Sequence, residues 1–192
     1  MKSAITISLV AACIALFYAC SPKTEGQTET NAAPSKDSLI KRGAYLVATS
    51  GCHDCHSPKK MGPHGPFVDT TMMLSGFHEG APVPTVSPDQ AKMGMIVFSP
   101  DLTATAGPWG TTFAANITSD GTGIGNWKLD QFKNALRNGK FMGLNEERMI
   151  MPPMPWENFR NWSDMDIEAV FDYLKSTKPV HNVPPSFRPP GK

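Results

Sequence analysis

The chain has 192 residues, 40% of them apolar, enough for one domain with an ordinary core or one domain carrying a long insertion. Eighteen prolines and sixteen glycines approach a fifth of the sequence, which implies much irregular loop and excludes a large sheet. Eighteen basic and seventeen acidic side chains leave +1, and without residues 1–19, which carry only Lys2, the balance is 17 to 17. A gross field for nucleic acid or for an anionic membrane is therefore excluded.

Lys2 supplies a short positive start, and residues 4–19 form an uncharged, largely apolar run of 16 residues. It is short for a membrane span and is followed abruptly by polar sequence, so it suits an export signal. The run closes on Ala19-Cys20-Ser21, a small residue directly before a cysteine, which resembles a bacterial lipobox. Cys20 is then the first mature residue and the lipidation site, although an uncleaved anchor, or ordinary cleavage nearby, gives the same run. Residues 20–36 hold no periodic apolar positions and are rich in Thr, Glu and Pro, as expected of a solvated tether. Fifteen flexible residues reach roughly 20 Å.

The folded part is expected to span residues 37–192. The spacing predicts a helix over 37–50, with Leu39, Ile40, Leu46 and Val47 apolar and Ser35 or Ser38 as cap. Gly43 inside it costs about 1 kcal/mol relative to Ala, which points to close approach of another backbone. Gly51 ends the helix.

Cys52-His53-Asp54-Cys55-His56 follows at once. Two thiols three residues apart can reach the two vinyl groups of one porphyrin, and the next residue, His56, can turn its imidazole to the iron; the motif reads as c-type haem attachment. The remaining cysteines, Cys13 and Cys20, lie in the leader region, so a disulfide framework has no partners. A thioredoxin-like dithiol needs a strand before the pair, where a helix is predicted. A zinc site needs two more ligands, for which only His64 and His78 in glycine-rich loops are at hand. His53, between the thiols, reads as solvent-facing and without a role.

Residues 58–116 are poor in helix signals, with Gly-Pro and Pro-Gly punctuation and short β-like runs. A loop-rich insertion is expected, carrying one small hairpin formed from 95–99 and 111–115. So long a loop in a compact domain is functional or wraps something. A second helix is predicted over 129–138, with Leu129, Phe132, Ala135 and Leu136 on one face and Gly139 as its stop. Met149, Met151 and Met154 then cluster in a proline-rich segment. Pro153 and Pro155 flank Met154, forbid helix and stiffen an extended loop that can hold one side chain in place. Met sulfur is a common second axial ligand of haem iron in electron-transfer proteins, which makes Met154 the candidate and Met151 its rival; core filling is the ordinary use of Met. A third helix is predicted over 164–176, capped by Ser163 with Asp166 in the Glu position of a capping box and with Ile167, Val170, Phe171 and Leu174 on one face. Five prolines from Pro179 onward predict an extended tail.

Taken in order, Arg42-Gly43, Tyr45-Leu46, the Cys52–His56 motif, Asn116-Ile117-Thr118, Gly123-Ile124-Gly125-Asn126-Trp127, Ala135-Leu136-Arg137, Gly139, Pro153-Met154-Pro155-Trp156 and Tyr173-Leu174-Lys175-Ser176 resemble the class I cytochromes c related to the cytochrome subunits of bacterial membrane-bound alcohol and gluconate dehydrogenases. The likeness covers roughly residues 38–183, with a single haem motif. It implies a mainly α class I cytochrome c fold in which the Gly43 helix crosses the Phe171 helix, and the distal ligand maps to Met154. It also implies that Asn116 or Trp127 hydrogen-bonds a haem propionate, with Trp127 as a hydrophobic staple of the following helix being the alternative. Lys128 departs from the Ser or Thr cap usual in the family.

The expectation is one covalent haem c on Cys52 and Cys55, with His56 and Met154 on the iron, in a carrier rather than an enzyme, since no acid–base pair or nucleophile is apparent. Its partners are a dehydrogenase or an oxidase and, through the lipid, a membrane, with no nucleic acid; its place is the bacterial cell envelope, facing the periplasm. The alternatives are a haem sensor or peroxidase-like protein with an open sixth position, or a fixed electron-transfer subunit of a dehydrogenase.

Overall fold

The computed structural model describes residues 33–191; the export signal, Cys20 and most of the tether lie outside the described residues. Helix α1, Lys36–Thr49, starts where Ser35 Oγ accepts the Ser38 amide at 3.2 Å. Gly51, at φ +71°, both ends it and opens the single-turn helix α2, Cys52–His56. Such a backbone angle is inexpensive only for glycine.

The helical core comes from the later elements. Helix α4, Leu129–Asn138, buries Phe132, Ala135 and Leu136 and stops at Gly139, φ +63°. Lys128 sits at its N-cap and makes no side-chain capping bond. A short helix α5, Trp156–Phe159, leads into α6, Asp164–Ser176. Ser163 caps α6 by accepting the Asp166 amide at 3.1 Å, while the Asp166 carboxylate turns to Arg42 Nε at 2.9 Å instead of completing a box. A Cβ on Gly43 would overlap the Ala169 carbonyl and approach Tyr173 Cβ to 2.7 Å, so α1 and α6 cross at that glycine, as expected. Val47, Leu74, Ile124, Phe132, Leu136, Phe159, Ile167, Val170, Phe171 and Leu174 form one buried cluster.

The insertion is more ordered than its composition suggests. Strands β1 (Lys59–Gly62) and β2 (Gly65–Val68) form an antiparallel hairpin with Gly62 opposite Gly65. A short helix α3, Pro88–Lys92, starts at a full capping box between Ser87 and Gln90. Strands β3 (Val97–Phe98), β4 (Ala104–Gly107) and β5 (Gly110–Phe113) make a three-stranded antiparallel sheet in that order. This corrects the expected pairing of 95–99 with 111–115: both segments are strands, but β4 lies between them. All four residues of β4 are buried, and none is a large apolar residue that would mark it as a strand.

The insertion also contributes to the core, since Leu74 and Phe77 are buried. It is held by the C-terminal tail, where Asn182 Nδ2 donates to the Ser75 and Phe77 carbonyls, both at 2.8 Å, and Arg188 exchanges backbone bonds with Thr111. The architecture is mainly α, with a loop-rich insertion that carries small sheets.

Candidate functional site

Helix α2 presents Cys52, Cys55 and His56 from one turn, and both thiols are free. Its exit is tied down by Ser57, whose Oγ accepts the Leu74 amide at 2.9 Å, and by the His56 carbonyl, which accepts the Gly76 amide at 2.8 Å. Leu74 sits at φ +62°, an uncommon angle for a bulky residue, and its own carbonyl accepts the Ile117 amide at 2.9 Å. Segments 74–77 and 114–117 are thereby stitched beside the motif.

The imidazole of His56 is fixed by one bond. Nδ1 lies 2.7 Å from the Ala115 carbonyl oxygen. A carbonyl can only accept, so Nδ1 carries the proton and Nε2 keeps its lone pair. Burial pushes the His56 pKa down, which keeps the ring neutral and able to ligate a metal. A second partner that sets the tautomer is the usual companion of a metal-binding histidine.

The thiols behave differently from those of a redox dithiol. Burial pushes the Cys52 pKa up to about 11, and it raises that of Cys55. Reactive dithiols hold at least one thiolate at neutral pH through a depressed pKa. Nor is a zinc set assembled. His64 and His78 are exposed, and among the described residues no group of three or more His, Cys, Asp or Glu side chains is placed to hold a metal. Two protonated thiols with an adjacent neutral imidazole fit haem attachment.

Met154, Cys52 and Trp127 come from three distant parts of the chain, and all three border the same core cluster. Met151 does not border it, and Met149 is exposed. The Met154 loop is anchored by Thr112 Oγ1, which donates to the Pro152 carbonyl at 2.9 Å. Thr112 lies in β5, three residues before Ala115, so one strand and its exit tie down both the methionine loop and the His56 ring. Trp156 follows Met154, and its ring packs against Gly139, where a side chain would collide with it.

Asn116 is buried and engaged elsewhere. Its Nδ2 faces the Val180 carbonyl at 2.8 Å, the Asn182 carbonyl at 3.1 Å and Thr122 Oγ1 at 3.1 Å, while Oδ1 accepts from the Thr118 amide and hydroxyl. Three acceptors already compete for its two hydrogens. Trp127 is half-buried, and its indole N–H has no hydrogen-bond partner among the described residues. His53 corrects an expectation: it is half-buried rather than solvent-facing, with Nδ1 3.0 Å from Ser57 Oγ.

Sequence reasoning missed four residues around the site. Ala115 acts through its carbonyl and has no side-chain signal. Ser57 follows the motif directly and Lys59 stands three residues beyond His56, where polar and basic residues commonly satisfy helix C-terminal carbonyls. Met73 also borders the cluster.

A cytochrome c family model matches residues 40–178. The chain belongs to the cytochrome c family. Membership implies covalently bound haem c, in keeping with the thiols and imidazole of α2. This cytochrome is 30% identical over 152 residues to the gluconate 2-dehydrogenase cytochrome c subunit of Pantoea cypripedii, covering 79% of this chain and 25% of that protein. It is 28% identical over 152 residues to the alcohol dehydrogenase (quinone) cytochrome c subunit of Gluconobacter oxydans, covering 78% and 24%. It is also 26% identical over 155 residues to the fructose dehydrogenase cytochrome subunit of Gluconobacter japonicus, covering 80% and 24%. The cytochrome thus matches a quarter or less of the length of these relatives.

Proposed function

We propose that this cytochrome is a single-electron carrier with one haem joined to Cys52 and Cys55, His56 Nε2 as proximal ligand and Met154 Sδ as distal ligand. The observation that carries this is the Nδ1–H bond from His56 to the Ala115 carbonyl at 2.7 Å, which leaves Nε2 the only lone pair of the ring. When bound, the haem supplies reversible one-electron exchange between ferric and ferrous iron. The polypeptide fixes the imidazole, shields the site with the Phe132 and Phe171 cluster, and holds Met154 on a loop stiffened by two prolines. Of the two propionate candidates, Trp127 has the donor to spare.

The test is Cys55→Ala. Removing one of two attachment thiols should abolish most of the haem-bearing protein in cells competent for haem attachment. Undiminished haem-bearing protein would refute the assignment.

The relatives, cytochrome subunits of dehydrogenases, favour a dehydrogenase as electron donor, with this chain as its electron-transfer subunit. Placement in the cell envelope, facing the periplasm, with a lipid on Cys20, rests on the leader sequence. Among the described residues no helix is long and apolar enough to cross a membrane. Cys20→Ser should move the protein from the membrane fraction to the soluble fraction or block its processing; a processed variant that stays membrane-bound would exclude the lipid.

A further inference from the structure

Lys59 stands three residues beyond His56, at the start of β1, and its side chain folds back onto the motif rather than out to solvent. Nζ donates to the Asp54 carbonyl at 2.6 Å, the Ser57 carbonyl at 2.9 Å, the Asp101 carbonyl at 3.0 Å and the His53 carbonyl at 3.3 Å. Four carbonyl oxygens from two separate segments therefore converge on an ammonium with three hydrogens. Three of them belong to the stretch that carries the thiols and the imidazole. Among the described residues no carboxylate forms a salt bridge with Lys59. The neighbouring Lys60 is used in another way: it pairs with Asp69 at 2.8 Å and is 59% exposed.

We propose that Lys59 is a positioning residue that clamps the haem-attachment turn and sets a fixed positive charge behind it, raising the reduction potential. The proposal rests on the haem reading above and deepens it. Reduction removes one unit of positive charge from the iron, so a nearby fixed cation favours the ferrous form. A charge drawn into the protein is screened less by solvent and salt than one in water. Burial lowers the Lys59 pKa, as expected for an ammonium withdrawn from solvent. A plain helix cap would need only the hydrogen bonds; the charge is the part that bears on electron transfer.

The experiment is redox titration of full-length holoprotein followed through the haem absorption bands, after covalent haem has been confirmed in each variant. Lys59→Gln keeps two N–H donors and removes the charge. It should shift the ferric-to-ferrous ratio at fixed potential several-fold toward ferric, on a scale where tenfold is ~59 mV for one electron. Lys59→Arg, which keeps the charge, should stay closer to wild type, and Lys60→Gln should stay closest. Asp101→Asn leaves Lys59 in place and removes an opposing charge beside it, so it should shift the ratio the other way. If Lys59→Gln accumulates no holoprotein, Lys59→Met, of similar length and without charge, is titrated in its place and should shift the ratio the same way. Holoprotein variants with a wild-type potential, or equal shifts from Lys59→Gln and Lys60→Gln, would overturn the proposal. Absence of covalent haem from wild type would instead refute the haem reading itself.

Discussion

Met154, Met151, Met149 and Met73 differ in their surroundings, and those differences set what each substitution should do. Met154 borders the core cluster on a loop pinned by Thr112, Met73 borders the cluster from the insertion, Met151 is half-buried away from it, and Met149 is exposed. A thioether is a soft, neutral donor that favours ferrous iron and occupies the position small ligands need. Met154→Ala should therefore lower the potential and open the ferrous iron to carbon monoxide. The shift should be on the order of tenfold or more in the ferric-to-ferrous ratio, where tenfold is ~59 mV. Met151→Ala and Met73→Ala should do neither to a comparable extent. If Met73→Ala or Met151→Ala alone produces both changes, the ligand is that methionine. Rapid carbon monoxide binding by the wild-type ferrous protein would favour the open-site alternative of a sensor or peroxidase-like protein.

At the scale of elements, the crossing of α1 and α6 depends on one missing side chain. Gly43→Ala would drive a methyl group into the Ala169 carbonyl. Overpacking typically costs about 1–3 kcal/mol, and because the clash here is with backbone rather than a mobile side chain it should outweigh the helix-propensity gain of about 1 kcal/mol that alanine offers elsewhere. The variant should unfold at lower temperature and lower denaturant concentration than wild type, and an unchanged midpoint would show that the crossing can relax. That glycine was legible in the sequence because it interrupts an otherwise good helix. The bounds of α4 and α6 were equally legible: each has apolar residues at helical spacing, and Gly139 stops one while Ser163 caps the other. The insertion was not. Ala104 to Gly107 is short, and Thr105 is its one residue with a strand preference against two Ala and a Gly, so propensity marks β4 only weakly. The β1–β2 hairpin turns through Pro63 and His64 between two glycines, signals that read equally well as plain loop. In the candidate site, spacing singled out the thiols and His56, and proline context singled out Met154 as the proposed ligand. Lys59 and Ala115 were not, because one acts by folding back across the chain and the other through its backbone.

For the whole molecule, the candidate site is a meeting of segments far apart in sequence. The motif turn, the exit of β5, the Met154 loop and the helical cluster each supply one constraint, and the tail ties the insertion to them through Asn182 and Arg188. The two thiols of α2 are the only free cysteines among the described residues. The central claim is that both thiols are consumed by one haem, and mass spectrometry of the denatured wild-type protein tests it most directly. The unfolded chain should retain the mass of one haem, and peptide mapping should place it on the fragment that contains Cys52 and Cys55. Recovery of that fragment with two free thiols and the haem released would contradict it.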